Sequence, residues 1–190
     1  MSEQMILSAV KRDGLGKGPN RRLREEQVVP GVFYDTKGSN IAIQMEALPL
    51  QKVFEKAGRT SVFQLEIDDN GTKTSYPVLI WDVLFHPYKK QFKHMDFFGV
   101  DLEKEIKVRI PLEFVGTSRG VKLGAKLEIY REFLDIMSKP MDLPKKITLD
   151  LTELDANTTI LQKDVVFPEG VRPASKENFA ILSVVAPKAE

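Results

Sequence analysis

Apolar and polar residues alternate through most of this chain, and a period of two marks strands with one buried face. "NIAIQME" puts Ile41, Ile43 and Met45 on one face, and "SVFQLEID" does the same with Phe63, Leu65 and Ile67. "MILSAVKR", "VVPGVFYD" and "QFKHMDFF" read as further extended pieces, the second broken by Pro30 and Gly31. "DDNGT" is a hairpin signal joining "SVFQLEID" to "KTSYPVLIWDV". One stretch has a different period. In "LPLQKVFEKAG", Leu50, Val53, Phe54 and Ala57 recur at helical spacing, Pro49 suits a first turn and Gly58 a final cap. Residues 1–98 are therefore expected to form a small β-barrel or sandwich of about six strands with one or two helices.

The remainder, residues 99–190, is more uniformly β. "EIKVRIPLEFVG" alternates over Ile106, Val108, Ile110, Leu112 and Phe114. "KLEIYREFLDIM", "KKITLDLTEL", "TTILQKDVVF" and "ENFAILSVVAP" are further strands, with glycines and prolines between them. "FFGVDLEKE" contains no Pro/Ser-rich linker, so two abutting domains are expected, 1–98 and 99–190, and the fold class is mainly β.

The 42% hydrophobic and 29% charged fractions are those of a folded soluble protein. No apolar run has the length of a membrane span, and the N-terminus lacks a secretory pattern. There is no cysteine, hence neither a disulfide framework nor a thiolate metal site. A cytoplasmic protein without cofactor or metal is the simplest expectation.

A net charge of +1 says little until its distribution is considered. Residues 11–24 hold six cations and a single acid, Asp13. Gly14, Gly16, Gly18 and Pro19 weaken regular structure there, so a loop is expected up to about Pro19. Asn20 would then cap a single helical turn. Such a loop leaves Arg12, Lys17, Arg21, Arg22 and Arg24 in water and close together. Glycine allows close backbone approach, and arginine offers a planar fork for phosphate oxygens. A solvated mobile loop is the plain alternative.

A second basic run, "HPYKKQFKH", contains Lys89, Lys90, Lys93 and both histidines, with no acid. Strand alternation puts Phe92, His94, Asp96 and Phe98 on one face, and Lys93, Met95 and Phe97 on the other. A carboxylate beside an imidazole orients it, and the pair offers a donor and an acceptor. That suits base edges and 2′-hydroxyls better than phosphate alone. Lys89 and its neighbours would neutralise backbone phosphates. Tyr34, ending a strand, either stacks on a base or ribose or is a half-buried rim tyrosine. His86 reads as a loop histidine and Trp81 as a core aromatic.

Nothing here marks a catalyst. His94 and Asp96 have no accompanying nucleophile motif, and "GLGKG" lacks the Lys-Ser/Thr ending of a phosphate loop. A metal held by His86, His94 and Asp96 has no recognised spacing, and the nearby lysines oppose it.

"GKGPNRRLR" followed by "VVPGVFY" and "WDVLFHPYKKQFKHMDF" resembles the bacterial large-subunit ribosomal protein twenty-five family, which includes the general stress protein CTC. "FVGTSRGVKLGAKLEI" and "LPKKITLDLTEL" are similar to the second domain of its longer members. The resemblance implies a non-enzymatic protein of the large ribosomal subunit whose first domain, a small β-barrel with helices, binds 5S rRNA. It implies an RNA face made of Arg12, Lys17, Asn20, Arg21, Arg22, Tyr34, His94 and Asp96, to which the charge pattern adds Lys89. The second domain then reads as a structural module, or one that contacts neighbouring ribosomal proteins.

The chain departs from the family pattern in places. Leu84 and Phe85 stand where polar or basic residues are common, Asp35 where glycine is frequent, Asn20 where serine is usual, and Ala125 where glycine is frequent. Two other classes remain open from the residues themselves: a stress-related module binding tRNA or another structured RNA off the ribosome, and a small phosphate-acting hydrolase.

Overall fold

The computed structural model describes residues 5–36, 38–89 and 91–186. Its packing divides the chain into two units, Met1–Lys104 and Glu105–Glu190.

The first unit is a closed six-stranded barrel. Its strands are β1 (Ile6–Lys11), β2 (Val28–Asp35), β3 (Asn40–Glu46), β4 (Phe63–Asp69), β5 (Thr72–Phe85) and β6 (Phe92–Gly99). They close in the order β1-β3-β2-β6-β5-β4, with β2 parallel to β6 and β1 parallel to β4. Closure removes the unpaired edges that an open sheet would present. Every second residue fills the interior: Phe33, Ile43, Leu65, Met95 and Phe97 are all fully buried. Helix α2 (Ala47–Ala57) adds Leu50, Val53 and Ala57 to the same core. The Asn70-Gly71 corner takes positive φ at both residues, the conformation a two-residue hairpin needs.

Helix α1 (Lys17–Glu25) corrects the expected loop. Gly16, at φ 99°, stands at its N-terminal boundary, and Pro19 lies in the first turn, where its missing N–H would have had no partner anyway. Asn20 lies inside the helix rather than capping it. A glycine at position 18 costs a helix about 1 kcal/mol relative to alanine. Interactions beyond the local sequence outweigh that cost. The helix packs against β2.

Two bulges shape β5 and β6. Ile80 pairs with Phe97 and Asp82 with Asp96, so Trp81 is an extra residue. Leu84 pairs with His94 and Phe85 with Phe92, so Lys93 is another. The first bulge corrects the expectation for Trp81, which is 47% exposed rather than part of the core. The second corrects Phe92, which leaves the His94 face and packs against Phe54 of α2 and Phe85.

The second unit holds two sheets. One has the order β10-β7-β9-β12, from β7 (Ile106–Val115), β9 (Phe133–Ser138), β10 (Ile147–Asp150) and β12 (Val171–Pro173). The other has the order β11-β13-β8, from β8 (Lys126–Ile129), β11 (Thr158–Leu161) and β13 (Ala180–Val185). Helix α3 (Arg119–Lys122) is capped by the Ser118 hydroxyl, which accepts from Val121 N at 3.1 Å. "KLEIYREFLDIM" is thus two strands in different sheets, and "TTILQKDVVF" leaves strand geometry at Leu161 for a 3-10 turn. Ile110, Leu134, Ile136, Ile147 and Ile181 form the core of this unit.

Candidate nucleic-acid interface

The outward face of β2, β6 and β5 carries the chemistry. Met95 and Phe97 point inward, so His94, Asp96 and Phe98 of β6 point out. His94 Nδ1 lies 2.8 Å from Asp96 Oδ1, and both side chains are about 30% exposed. That oxygen is shielded from solvent and makes no conventional hydrogen bond, so the imidazole is the group that compensates it.

Asp82 stands directly across the strand pair from Asp96. Like charges in that position oppose one another, and His94 offsets part of this cost. The parallel register puts Tyr34 beside Phe98, with ring centres 5.6 Å apart. Burial first, then the charges of Asp96 and Asp82, push the Tyr34 hydroxyl up to about 12, so it remains a proton donor at neutral pH. Trp81 continues the aromatic row with its ring 5.2 Å from Phe98. The bulge that frees Trp81 depends on register with a partner strand, and alternation along one strand carries no sign of it.

Helix α1 supplies the charge. Arg24 is half-buried, and its Nε donates to the carbonyl of Lys93 at 3.0 Å, one residue before His94. Lys17, Arg21 and Arg24 fall at i, i+4 and i+7, so they share one stripe of the helix, with Asn20 beside them. Arg22 is turned from Arg24 by about 160° at 100° per residue and is exposed. Arg21 is exposed as well and pairs with Glu25 at 3.1 Å.

Arg12 also differs from expectation. It is half-buried, and its guanidinium donates to Asn20 Oδ1 and to the Gly14 carbonyl at 3.1 Å. Burial, then the charge of Arg24, lower its pKa. Arg12 and Asn20 therefore brace the start of the helix, and Arg24 clamps its end. Only part of the expected cation cluster lies open to water.

Lys89 is exposed at the tip of the β5–β6 hairpin, and Lys90 lies outside the described residues. His86 shapes that tip, its Nδ1 accepting from Tyr88 N and Lys89 N at 3.2 and 3.3 Å. Asp35 serves a turn too, its carboxylate accepting from Ser39 N at 2.9 Å. Leu84, opposite His94, is 52% exposed.

A basic helix stripe thus runs into a face of imidazole, carboxylates, a phenol and stacked rings. In general, cations of this kind pair with phosphates, and carboxylates accept from base amino groups and 2′-hydroxyls.

Comparison with known proteins agrees with a ribosomal class. Residues 7–97 match the model of the ribosomal L25p family, and residues 105–188 match that of the C-terminal domain of ribosomal protein TL5. The chain is 74% identical, over the full length of both, to the large ribosomal subunit protein bL25 of Nitratidesulfovibrio vulgaris strain DP4. It is 56% identical over 190 residues to bL25 of Nitratidesulfovibrio vulgaris strain DSM 19637 / Miyazaki F. Identity to bL25 of Desulforudis audaxviator is 30% over 185 residues, which is 97% of this chain and 88% of that one. The chain belongs to the ribosomal L25p family, in its two-domain form. It is a structural protein rather than an enzyme, and it resides in the cytoplasm with the ribosome.

Proposed function

We propose that this chain is a component of the large ribosomal subunit that binds 5S rRNA through the outer face of its first domain. The names of its relatives support the subunit. The Arg24–Lys93 clamp supports the site, because it joins the cationic stripe to the strand bearing His94 and Asp96.

In this reading Lys17, Arg21 and Arg22 neutralise phosphates, with Lys89 adding charge from the hairpin tip. Arg12 and Asn20 hold the helix in register. Tyr34, His94 and Asp96 meet an open minor groove, where 2′-hydroxyls and base edges are accessible. The mixture of donors and acceptors is the reason for a groove: a phosphate-only surface gains nothing from the Asp82–Asp96 carboxylates.

Trp81 offers a direct test, being the sole tryptophan and lying on this face. Titrating purified 5S rRNA into the protein should change Trp81 fluorescence saturably. A saturating RNA complex with unchanged Trp81 emission would place the interface elsewhere.

A further inference from the structure

The second unit contains a cleft of about 290 Å³ whose lining includes Lys107, Arg109, Tyr130, Arg131, Phe133 and Phe179. Lys107 and Arg109 project from the outer face of β7, and Asp135 faces them from β9. Both cations pair with that one carboxylate, each at 3.1 Å. Burial raises the Asp135 carboxyl, and the hydrogen bonds from Arg109 and Lys107 outweigh it, leaving it below its ordinary value. Two cations sharing one acid leave positive charge to spare.

The far wall is prebuilt. Buried Gln162 donates its side-chain amide to the Ser175 carbonyl at 2.8 Å, and Lys163 N donates to Asn178 Oδ1 at 3.2 Å. These bonds hold residues 175–179 in place and fix Phe179. The Arg131 guanidinium then lies over the Phe179 ring, 4.3 Å from its centre. Arg131 is exposed, as are Tyr130 and Phe133 at 54% and 48%.

A guanidinium stacked on one ring presents its other flat side to a second planar group. Aromatic and arginine surfaces of this kind accept unstacked bases in single-stranded RNA. The cleft is at the small end of ligand sites, which begin at roughly 300 Å³, so it suits one planar group with its phosphate. Three cations, Lys107, Arg109 and Arg131, against two acids, Glu132 and Asp135, give a lining charge of +1, complementary to one phosphodiester.

We propose that this cleft is a second RNA-binding site, taking a single unpaired nucleotide whose base stacks on Arg131 and whose phosphate meets Lys107 and Arg109. It differs from a purely protein-contacting role for the second domain. It also shares no residue with the first-domain interface.

The test uses the full chain and a fluorescein-labelled single-stranded heptaribonucleotide, followed by anisotropy. To separate the sites, it is run in wild-type protein and in a variant carrying Arg21→Ala and His94→Ala. Binding should persist in that background. Adding Arg131→Ala should weaken it about five-fold or more, the range expected when a stacking partner is removed. Arg131→Lys, which keeps the charge without the flat surface, should also weaken it. Binding that vanishes with the first-domain variant, or that is unmoved by Arg131→Ala, would overturn the proposal. So would rescue of full affinity by Arg131→Lys, which would reduce the site to a point charge. Displacement of the RNA by an equimolar poly-glutamate peptide would overturn it in favour of an acidic protein partner. Binding of 5S rRNA by the first domain is read separately, through Trp81 emission, so the two readings fail independently.

Discussion

Arg24 donates from Nε to the carbonyl of Lys93 at 3.0 Å, and so a helix rich in cations is fastened to the strand that carries His94 and Asp96. The acceptor carbonyl belongs to a bulged residue that has no partner in the pairing with β5. A buried hydrogen bond to a charged group contributes roughly 1.5–3 kcal/mol, and this one is half-buried. Arg24→Met keeps most of the apolar stem and removes the donor. Urea unfolding should show a loss of about 1–2 kcal/mol. No loss would mean that the Arg12–Asn20 brace and packing against β2 hold the helix without the clamp.

Arg21 and Arg22 are adjacent in sequence and differ in direction. Arg21 shares the Arg24 stripe, and Arg22 faces away from it. Arg21→Ala should therefore weaken 5S rRNA binding more than Arg22→Ala, and removing one phosphate-neutralising cation should reduce the salt slope by about 0.9. Glu25 competes for Arg21 in the free protein. An exposed pair of this kind is worth about 0.3–0.5 kcal/mol, so Glu25→Ala should tighten RNA binding about two-fold. Affinities measured across a salt series check all three variants.

In the proposed interface, His94 is expected to act by direction rather than by charge. His94→Ala should lower RNA affinity and leave the salt slope within about half a unit of wild type. A slope change as large as that of Arg21→Ala would make the imidazole another phosphate-binding cation.

Tyr34 reports the local field. Its hydroxyl is pushed up to about 12 by burial and then by Asp96 and Asp82. A raised folded-state value means that its stabilising contribution is complete below the unfolded value near 10 and is lost as pH rises through about 12. In an ultraviolet titration one of the four tyrosines should ionise late. Asp96→Asn should move that transition downward by part of the shift, because burial remains. An unmoved transition would separate Tyr34 from Asp96 electrically.

Gly31 lies where β2 approaches its neighbours closely. A Cβ there would fall 2.6 Å from the Met95 carbonyl oxygen and 2.9 Å from Met45 Cε. The methionine tip can shift, but the backbone oxygen cannot do so without opening the β2–β6 pair. Gly31→Ala should destabilise the first domain by about 3 kcal/mol, at the upper end of overpacking. Thermal unfolding followed through Trp81 emission measures it.

Period-two alternation is enough to show β3 and β4, whereas β2 and β5 bury three residues in succession and read only as extended pieces. The Asn70-Gly71 hairpin and helix α2 are legible for equally local reasons. The facing of His94 and Asp96 follows from the same alternation. The features that alternation misses share a nonlocal cause. The bulges at Trp81 and Lys93 arise from pairing with a partner strand, and they turn an expected core tryptophan outward and move Phe92 to the α2 side. Helix α1 has Gly18 and Pro19 at its start, and composition argues against it, while Arg12, the Lys93 carbonyl and β2 hold it from outside its own sequence. In the second domain, residues 126–138 read as one extended apolar run, yet the chain breaks at Tyr130–Glu132 and passes from one sheet to the other there. Period alone does not say which sheet a strand joins.

The central claim is that one face of the first domain grips a folded RNA by charge and groove recognition together. A gel-shift of the full chain on purified 5S rRNA, with tRNA as competitor, tests it most directly. A stable complex that tRNA fails to displace at a hundred-fold excess, and that Arg21→Ala with His94→Ala abolishes, is the expected result. Equal competition by tRNA, or a complex unaffected by those two substitutions, would contradict the account.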